Sequence, residues 1–195
     1  MRQAVVEIPL ISIIIPTLYS RSHWLEKCLA AYHKSVSIPY EIIILHEYGS
    51  CGKAWNVGIK ESLGDLIHLS ADDLEPHPGW LEAATAVLDD GYLPCPRILN
   101  SDGTLQSCGD TAEEVPSGTP AKVARVPLLP RTLALKMLPI FENQYMGDYW
   151  ISWKASTFGW QTVVVREMTF THHLAPEGRI SSLEKDYLDY MESIR

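Results

Sequence analysis

Asp72 and Asp73 stand side by side just beyond the apolar run Leu66–Leu69, in the segment GDLIHLSADDLEPHPGWLE. Adjacent carboxylates at a strand end can divide labour. One coordinates a hard cation that bridges two phosphates, and the other accepts a hydrogen bond from a ribose hydroxyl. The same pair also suits an ordinary acidic turn, because carboxylates ahead of a helix interact favourably with its dipole. Farther along, His172 and His173 follow a short Thr-containing segment. A neutral imidazole is a sound ligand for Mn²⁺ or a similar ion, although paired histidines also serve as surface or hydrogen-bonding elements.

The elements that must position these groups are legible from hydrophobic patterning. Ile11–Ile15, ended by Pro16, and Ile42–Leu45 are continuous β-branched or aliphatic runs of the kind buried on both faces of a sheet, and Leu66–Leu69 supplies a third. Between them, Leu25, Cys28, Leu29 and Tyr32 recur at helical spacing after a capping Ser22, and Trp55, Ile59 and Leu63 do so after the Gly49, Ser50, Gly52 break. Alternating strands and helices predict parallel βαβ units in a doubly wound, mostly parallel sheet, with ligands at the strands' C-terminal ends. Pro78 opens a helix through Trp80, Leu81, Ala84, Val87 and Leu88. Residues 110–127 read as a long surface loop, Leu133–Leu138 as a short helix, and Trp150–Phe158 as a helix ended by Gly159 before a strand at Thr162–Val165. A capping box from Ser181 to Glu184 starts a terminal helix carrying Leu183, Tyr187 and Tyr190, which packs on the domain or on a partner.

The 195 residues favour one domain with its own core, expected over 11–175 with the terminal helix at 181–194. A formal charge of −8 argues against a nucleic-acid footprint, and an acidic site that accepts a diphosphate must recruit a divalent cation. Cys28, Cys51, Cys95 and Cys108 form no CxxC pair and read as reduced thiols. No run approaches the roughly 20 apolar residues of a spanning helix, so a cytoplasmic protein is expected, with peripheral membrane contact left open. Phosphate-binding loops of the GxxxxGK[ST] type, GxSxG elbows, HExxH helices and GxGxxG fingerprints are all missing from the sequence.

Several blocks, in order, resemble the family 2 glycosyltransferases of the GT-A fold. SIIIPT is similar to their first strand, YEIIIL to their second, and AWNVGIKESLGDLIHLSADDLEPHPGWLE to the central block that runs into a DxD-type motif. PRILNSDGTLQSCG resembles the strand and turn that follow, and GDYWISWKASTFGWQTVVV with THH resembles the acidic helix, strand and terminal histidine. The resemblance implies a three-layer α/β/α sandwich. It implies Asp73 and His172 as ligands of Mn²⁺ or Mg²⁺, Asp72 beside the ribose or diphosphate, and Asp148 as the catalytic base. Pro16, Thr17, Lys53 and Asn56 would line the base and ribose pocket, and the family's base-recognising acid falls near His46 and Glu47. Two positions depart from the pattern: Ala71 stands where an acid is common, and Gly147 precedes Asp148 where Glu is usual. Asp148 also suits a helix cap. Trp150 and Trp153 could stack on an acceptor sugar or pack in the core.

The implied activity is inverting, metal-dependent transfer of a sugar from a nucleoside diphosphate donor, UDP-sugars first among them, to a hydroxyl of a glycan, lipid, protein or small molecule. A homo-oligomer is compatible with so short a chain. Two other expectations stand beside it: a non-catalytic adaptor that binds a nucleotide or glycan, motivated by Ala71 and Gly147, and a nucleotidyltransferase on a related sheet.

Overall fold

The computed structural model describes residues 10–173 and 183–194; Ser181, and with it the expected capping box, lies outside them. In chain order the strands are β1 (Ile11–Thr17), β2 (Tyr40–His46), β3 (Leu66–Leu69), β4 (Leu74–Pro76), β5 (Tyr92–Asn100), β6 (Leu105–Cys108), β7 (Pro120–Ala121), β8 (Leu128–Pro130) and β9 (Gln161–His172). The helices are α1 (Ser22–Ser35), α2 (Cys51–Glu61), α3 (Trp80–Asp89), α4 (Arg131–Met137), α5 (Gly147–Ser156) and α6 (Leu183–Ser193).

The architecture is α/β with parallel-rich sheets, but the strands divide into two sheets where the sequence suggests one. The first has the order β2-β1-β3-β8, with β1 parallel to both β2 and β3. The second has the order β4-β9-β5-β6, with β5 and β9 parallel and β7 added along β9. The division arises after Asp73. The chain leaves the first sheet there and re-enters an extended path as β4, which pairs antiparallel with β9.

Strand β1 is buried along its whole length, as its β-branched run requires, while β2 is only partly buried because it forms the edge. Helix boundaries shift slightly from expectation. Ser22 is the first residue of α1 and makes no cap, the position before it being Arg21. Helix α2 ends at Glu61, which leaves Leu63 exposed. Gly79, at φ +86°, precedes α3 and moves its start to Trp80. Residues 110–127 are not a free surface loop: Gly118 N–H donates to Val164 O and Val164 N–H to Thr119 O, both at 2.8 Å, and Val123 and Ala124 are fully buried. Backbone pairing to β9 was invisible in a segment without side-chain periodicity. Helix α6 packs on the domain, with Tyr190 beside Phe141 and Tyr149 and with Asp186 Oδ2 accepting the Tyr145 N–H at 2.8 Å.

Under the first sheet runs a buried polar chain. Tyr32 Oη lies 2.7 Å from both His68 Nε2 and Ser70 Oγ, and His68 Nδ1 is 3.3 Å from Pro127 O. These three contacts are met together when Nδ1–H donates to Pro127, Tyr32 donates to Nε2 and Ser70 donates to Tyr32, a pattern that needs a neutral imidazole. Burial lowers the His68 pKa to about 3, with the Pro127 hydrogen bond opposing. The unfolded chain therefore binds a proton that the fold refuses. Stability contributed by neutral His68 is complete above an unfolded pKa of about 6.5 and is lost as pH falls toward about 3. Urea melts should show unfolding free energy declining from pH 6.5 to 4, by at most about 1.4 kcal/mol per pH unit from this group. His68→Leu should flatten that decline even though it lowers stability at pH 7; an unchanged slope would remove His68 as its source.

Candidate functional site

The C-terminal ends of β1, β2 and β3 converge on one edge of the first sheet, and β3 runs directly into Ser70–Asp73. Asp72 and Asp73 are 3% and 7% exposed, so neither is an acid on a solvated turn. Thr17 Oγ1 donates to Asp72 Oδ2 at 2.6 Å. Arg21 Nη2 bridges the pair, 2.6 Å from Asp72 Oδ1 and 2.7 Å from Asp73 Oδ2. Burial of two adjacent carboxylates is tolerable because a guanidinium lies between them.

Strand pairing supplies the histidine. Leu74, the residue after Asp73, sits opposite His172 in the β4–β9 ladder, and His173 N–H donates to Asp73 O at 2.9 Å. His172 Nε2 thereby comes to 3.6 Å from Asp73 Oδ1. Its other nitrogen, Nδ1, lies 3.1 Å from Gln106 Oε1, which can only accept, so the proton resides on Nδ1 whenever the ring is neutral and the Nε2 lone pair faces the carboxylates. The two histidines part company here: His173 Nε2 contacts Glu75 Oε1 at 2.8 Å and its ring stacks on Trp24. For Asp73, burial raises the pKa, but His172 and Arg21 together outweigh it and bring the carboxyl down to about 2. Burial raises the pKa of Asp72, and Thr17 and Arg21 only partly offset it.

Two adjoining cavities open at this edge. One, of ≈ 200 Å³, is lined by Pro16, Thr17, Arg21, Tyr48, Asp72 and Asp73 among others. The second, of ≈ 280 Å³, is lined by Trp55, Arg125, Met146, Asp148 and Tyr149 among others. Cys51, Ala71, Gln144, Tyr145 and His172 line both and form the wall between them. Asp148 stands in the first turn of α5 and lines the second cavity; burial raises its pKa, and the Arg125 charge opposes that rise. Cys51 is no nucleophile here. Burial pushes its thiol up to about 12, outweighing the opposing hydrogen bond that Gln144 Nε2 donates to Sγ at 3.2 Å.

Gly147, the departure noted in the sequence, has a steric cause. A Cβ there would lie 2.9 Å from the Trp55 ring, whose Nε1–H donates to Ser70 O at 3.2 Å. Trp55 takes the space where a side chain at 147 would project. The three non-glycine residues at positive φ among the described residues, Glu47, Val126 and Met146, all adjoin this region. Val126 and Met146 line the second cavity, and Glu47 precedes Tyr48 of the first. Such backbone is costly and persists where surrounding structure enforces it.

Other sequence candidates are placed elsewhere. Asn56 is 5% exposed and spends its amide on Ile140, donating to its O at 2.9 Å and accepting from its N–H at 2.6 Å. Lys53 is exposed in the first turn of α2, where its N–H donates to the Ser50 cap. His46 stacks on Tyr19 with centroids 4.6 Å apart, and Glu47 Oε1 accepts the Tyr19 N–H at 2.8 Å. These two shape the rim beside Tyr48 without lining either cavity. Trp150 is core, and Trp153 lines neither cavity; the aromatic wall is Trp55 with Tyr145 and Tyr149. Arg21, Gln106, Arg125 and Gln144 carried no local signal in the sequence, since each reaches the site only through tertiary contacts.

Backbone proximity also holds the partition. A Cβ on Gly52 would fall 1.9 Å from Phe141 O, so α2 and the segment ahead of α5 approach as closely as glycine alone permits. Gly52→Ala should cost on the order of 1–3 kcal/mol, read as a lower denaturation midpoint, because the obstacle is backbone. A midpoint equal to the native chain's would show that the segment moves freely.

No protein-family model matches the chain, and no curated protein does. Solved structures do. GalNAc-T7, crystallised with UDP, GalNAc and Mn²⁺, aligns with TM-score 0.69 at 13% identity over 96% of this chain and 48% of its own. A structure of S. aureus TarS 1-349 aligns with TM-score 0.63 at 14% identity over 94% of this chain and 64% of its own, and the same fragment in complex with UDP aligns with TM-score 0.62. The chain thus spans about half to two thirds of these neighbours. Likeness of this extent at such low identity is likeness of fold, and the fold of this chain is the GT-A fold of glycosyltransferases.

Proposed function

We propose that the chain is a metal-dependent, inverting glycosyltransferase that moves a sugar from a nucleoside diphosphate donor to a hydroxyl acceptor. The observation that carries this reading is the pair of cavities divided by a shared wall, with Asp72 and Asp73 in one and Asp148 in the other. A donor whose diphosphate lies against the paired acids would project its sugar past His172 toward Asp148. UDP is the donor nucleotide to test first, since it is named with two of the structural neighbours.

The residues present fit a divalent cation. Asp73 Oδ1 and His172 Nε2 face each other 3.6 Å apart, with the imidazole held by Gln106 in the tautomer a ligand needs. Among the described residues no third His, Cys, Asp or Glu joins them, so Asp73 and His172 are the side chains that would hold the cation. A cation bound there supplies positive charge to the leaving diphosphate. Asp72, which accepts a hydrogen bond from Thr17 and lines the first cavity, would meet a ribose hydroxyl there. Asp148 accepts the proton of the acceptor hydroxyl as that oxygen attacks the anomeric carbon, and the aromatic wall of Trp55 and Tyr149 offers a face for a sugar ring.

Arg21 motivates a second reading. Its guanidinium occupies the space between the acids, which suits an adaptor that binds a nucleotide without turnover. Titration calorimetry of UDP with and without Mn²⁺, followed by assay of UDP release from a panel of UDP-sugars, separates them. Metal-dependent binding with release supports the transferase; binding without release from any donor, over a broad acceptor panel, supports the adaptor.

A further inference from the structure

We infer that the second cavity takes a sugar residue bearing an anionic substituent, a carboxylate or a phosphate, with Arg125 as its anchor. This rests on the reading of that cavity as the sugar-binding side of the site. Arg125 Nε is fully buried and has no hydrogen-bond partner, and no side-chain hydrogen bond or ion pair of Arg125 occurs among the described residues. Asp148 lines the same cavity, yet the two groups make no contact within salt-bridge distance, and the Asp148 carboxylate is met only by the N–H of Tyr149 at 3.0 Å. The charges face a common space instead of closing on each other.

Arg125 is half-buried, and its Nε, shielded from water without an acceptor, carries a desolvation cost that a ligand oxygen would relieve. The backbone holds it in place. Val126, a β-branched residue, is forced to φ +48°, and Ala124 N–H donates to Ser152 Oγ of α5 at 2.6 Å, which ties the segment to the helix that carries Asp148. Strain on one side and a helix tether on the other fix where Arg125 enters the cavity. A guanidinium matches a planar carboxylate or a phosphate edge with parallel hydrogen bonds, whereas a neutral hydroxyl leaves most of its donors unused. Within the lining, Leu69, Leu74, Ile98 and Trp55 suit the apolar face of a sugar ring, and Gln106 and Ser107 offer polar partners for its hydroxyls.

Two arms of one binding experiment distinguish a substituent on the donor sugar from one on the acceptor sugar. In the first, the affinity of the full chain for UDP-glucuronate is compared with that for UDP-glucose in the presence of Mn²⁺. In the second, methyl glucuronide and glucose 6-phosphate are compared with methyl glucoside, with UDP and Mn²⁺ present. At least a tenfold preference for the anionic probe is expected in one arm. Arg125→Gln should bring that ratio close to one by weakening the anionic probe the more, and Arg125→Lys should retain part of it. Equal or better binding of the neutral probes in both arms overturns the proposal, as does a preference that survives Arg125→Gln. Should Arg125→Gln not fold, the ratios of the native chain and of Arg125→Lys still decide. Failure of sugar transfer with every donor would remove the transferase reading without touching these ratios.

Discussion

Asp148→Asn is expected to lower kcat for sugar transfer by about 10²–10⁴-fold with little change in affinity for the nucleotide sugar. The amide keeps the shape of the carboxylate at the start of α5 but cannot take a proton from the attacking hydroxyl. Because burial raises the pKa of Asp148, with Arg125 opposing, the carboxylate is more readily protonated than an exposed one. The base must be deprotonated to act. Activity should therefore climb with pH on the acidic side of its profile, through a pKa above the usual aspartate range, and Asp148→Asn should abolish that limb. Steady-state kinetics against pH is the measurement, and near-normal turnover by the variant would sink the assignment of the base.

Asp73→Asn is expected to lower transfer by at least about 10²-fold and, unlike Asp148→Asn, to abolish the thermal stabilisation that Mn²⁺ confers together with UDP. A carboxylate that His172 and Arg21 hold down to about 2 despite burial is ionised at any working pH and available to a cation. Arg21 sharpens the test. Its Nη2 already lies between Asp72 and Asp73, so a divalent ion must share their negative charge with it. Arg21→Met should then raise the apparent affinity for Mn²⁺ while destabilising the metal-free chain, since two buried carboxylates lose their counter-charge. Differential scanning fluorimetry with a Mn²⁺ titration reads both effects. Unchanged Mn²⁺ affinity in both variants would place the cation away from the paired acids.

Much of the frame was legible from local pattern, for a plain reason. Runs such as Ile11–Ile15 and Leu66–Leu69 have no polar face, so they can be stable only inside a sheet, and the acids that follow must then emerge at its edge. The grouping of Asp72, Asp73, Asp148 and His172 rested on the order of family-like blocks, and the structure brings the cavities that hold them against one wall. The pocket residues implied by the family resemblance divide: Pro16 and Thr17 line the first cavity, and Lys53 and Asn56 line neither. The Asn56 amide spans to Ile140, and sequence spacing could not tell such a side chain from one that reaches a ligand.

By itself, then, the sequence determined the α/β class and the strand that delivers Asp72 and Asp73, because burial periodicity and turn chemistry act over a few residues. Tertiary structure alone decided the rest. The split into two sheets sets Leu74 opposite His172, and through that pairing an imidazole nearly a hundred residues away faces Asp73. Arg21 between the acids, Gln106 behind the histidine and Arg125 across from Asp148 likewise depend on contacts between segments far apart in the chain. Charge pairing and ring orientation are set by distances in space, and no periodicity along a chain encodes them.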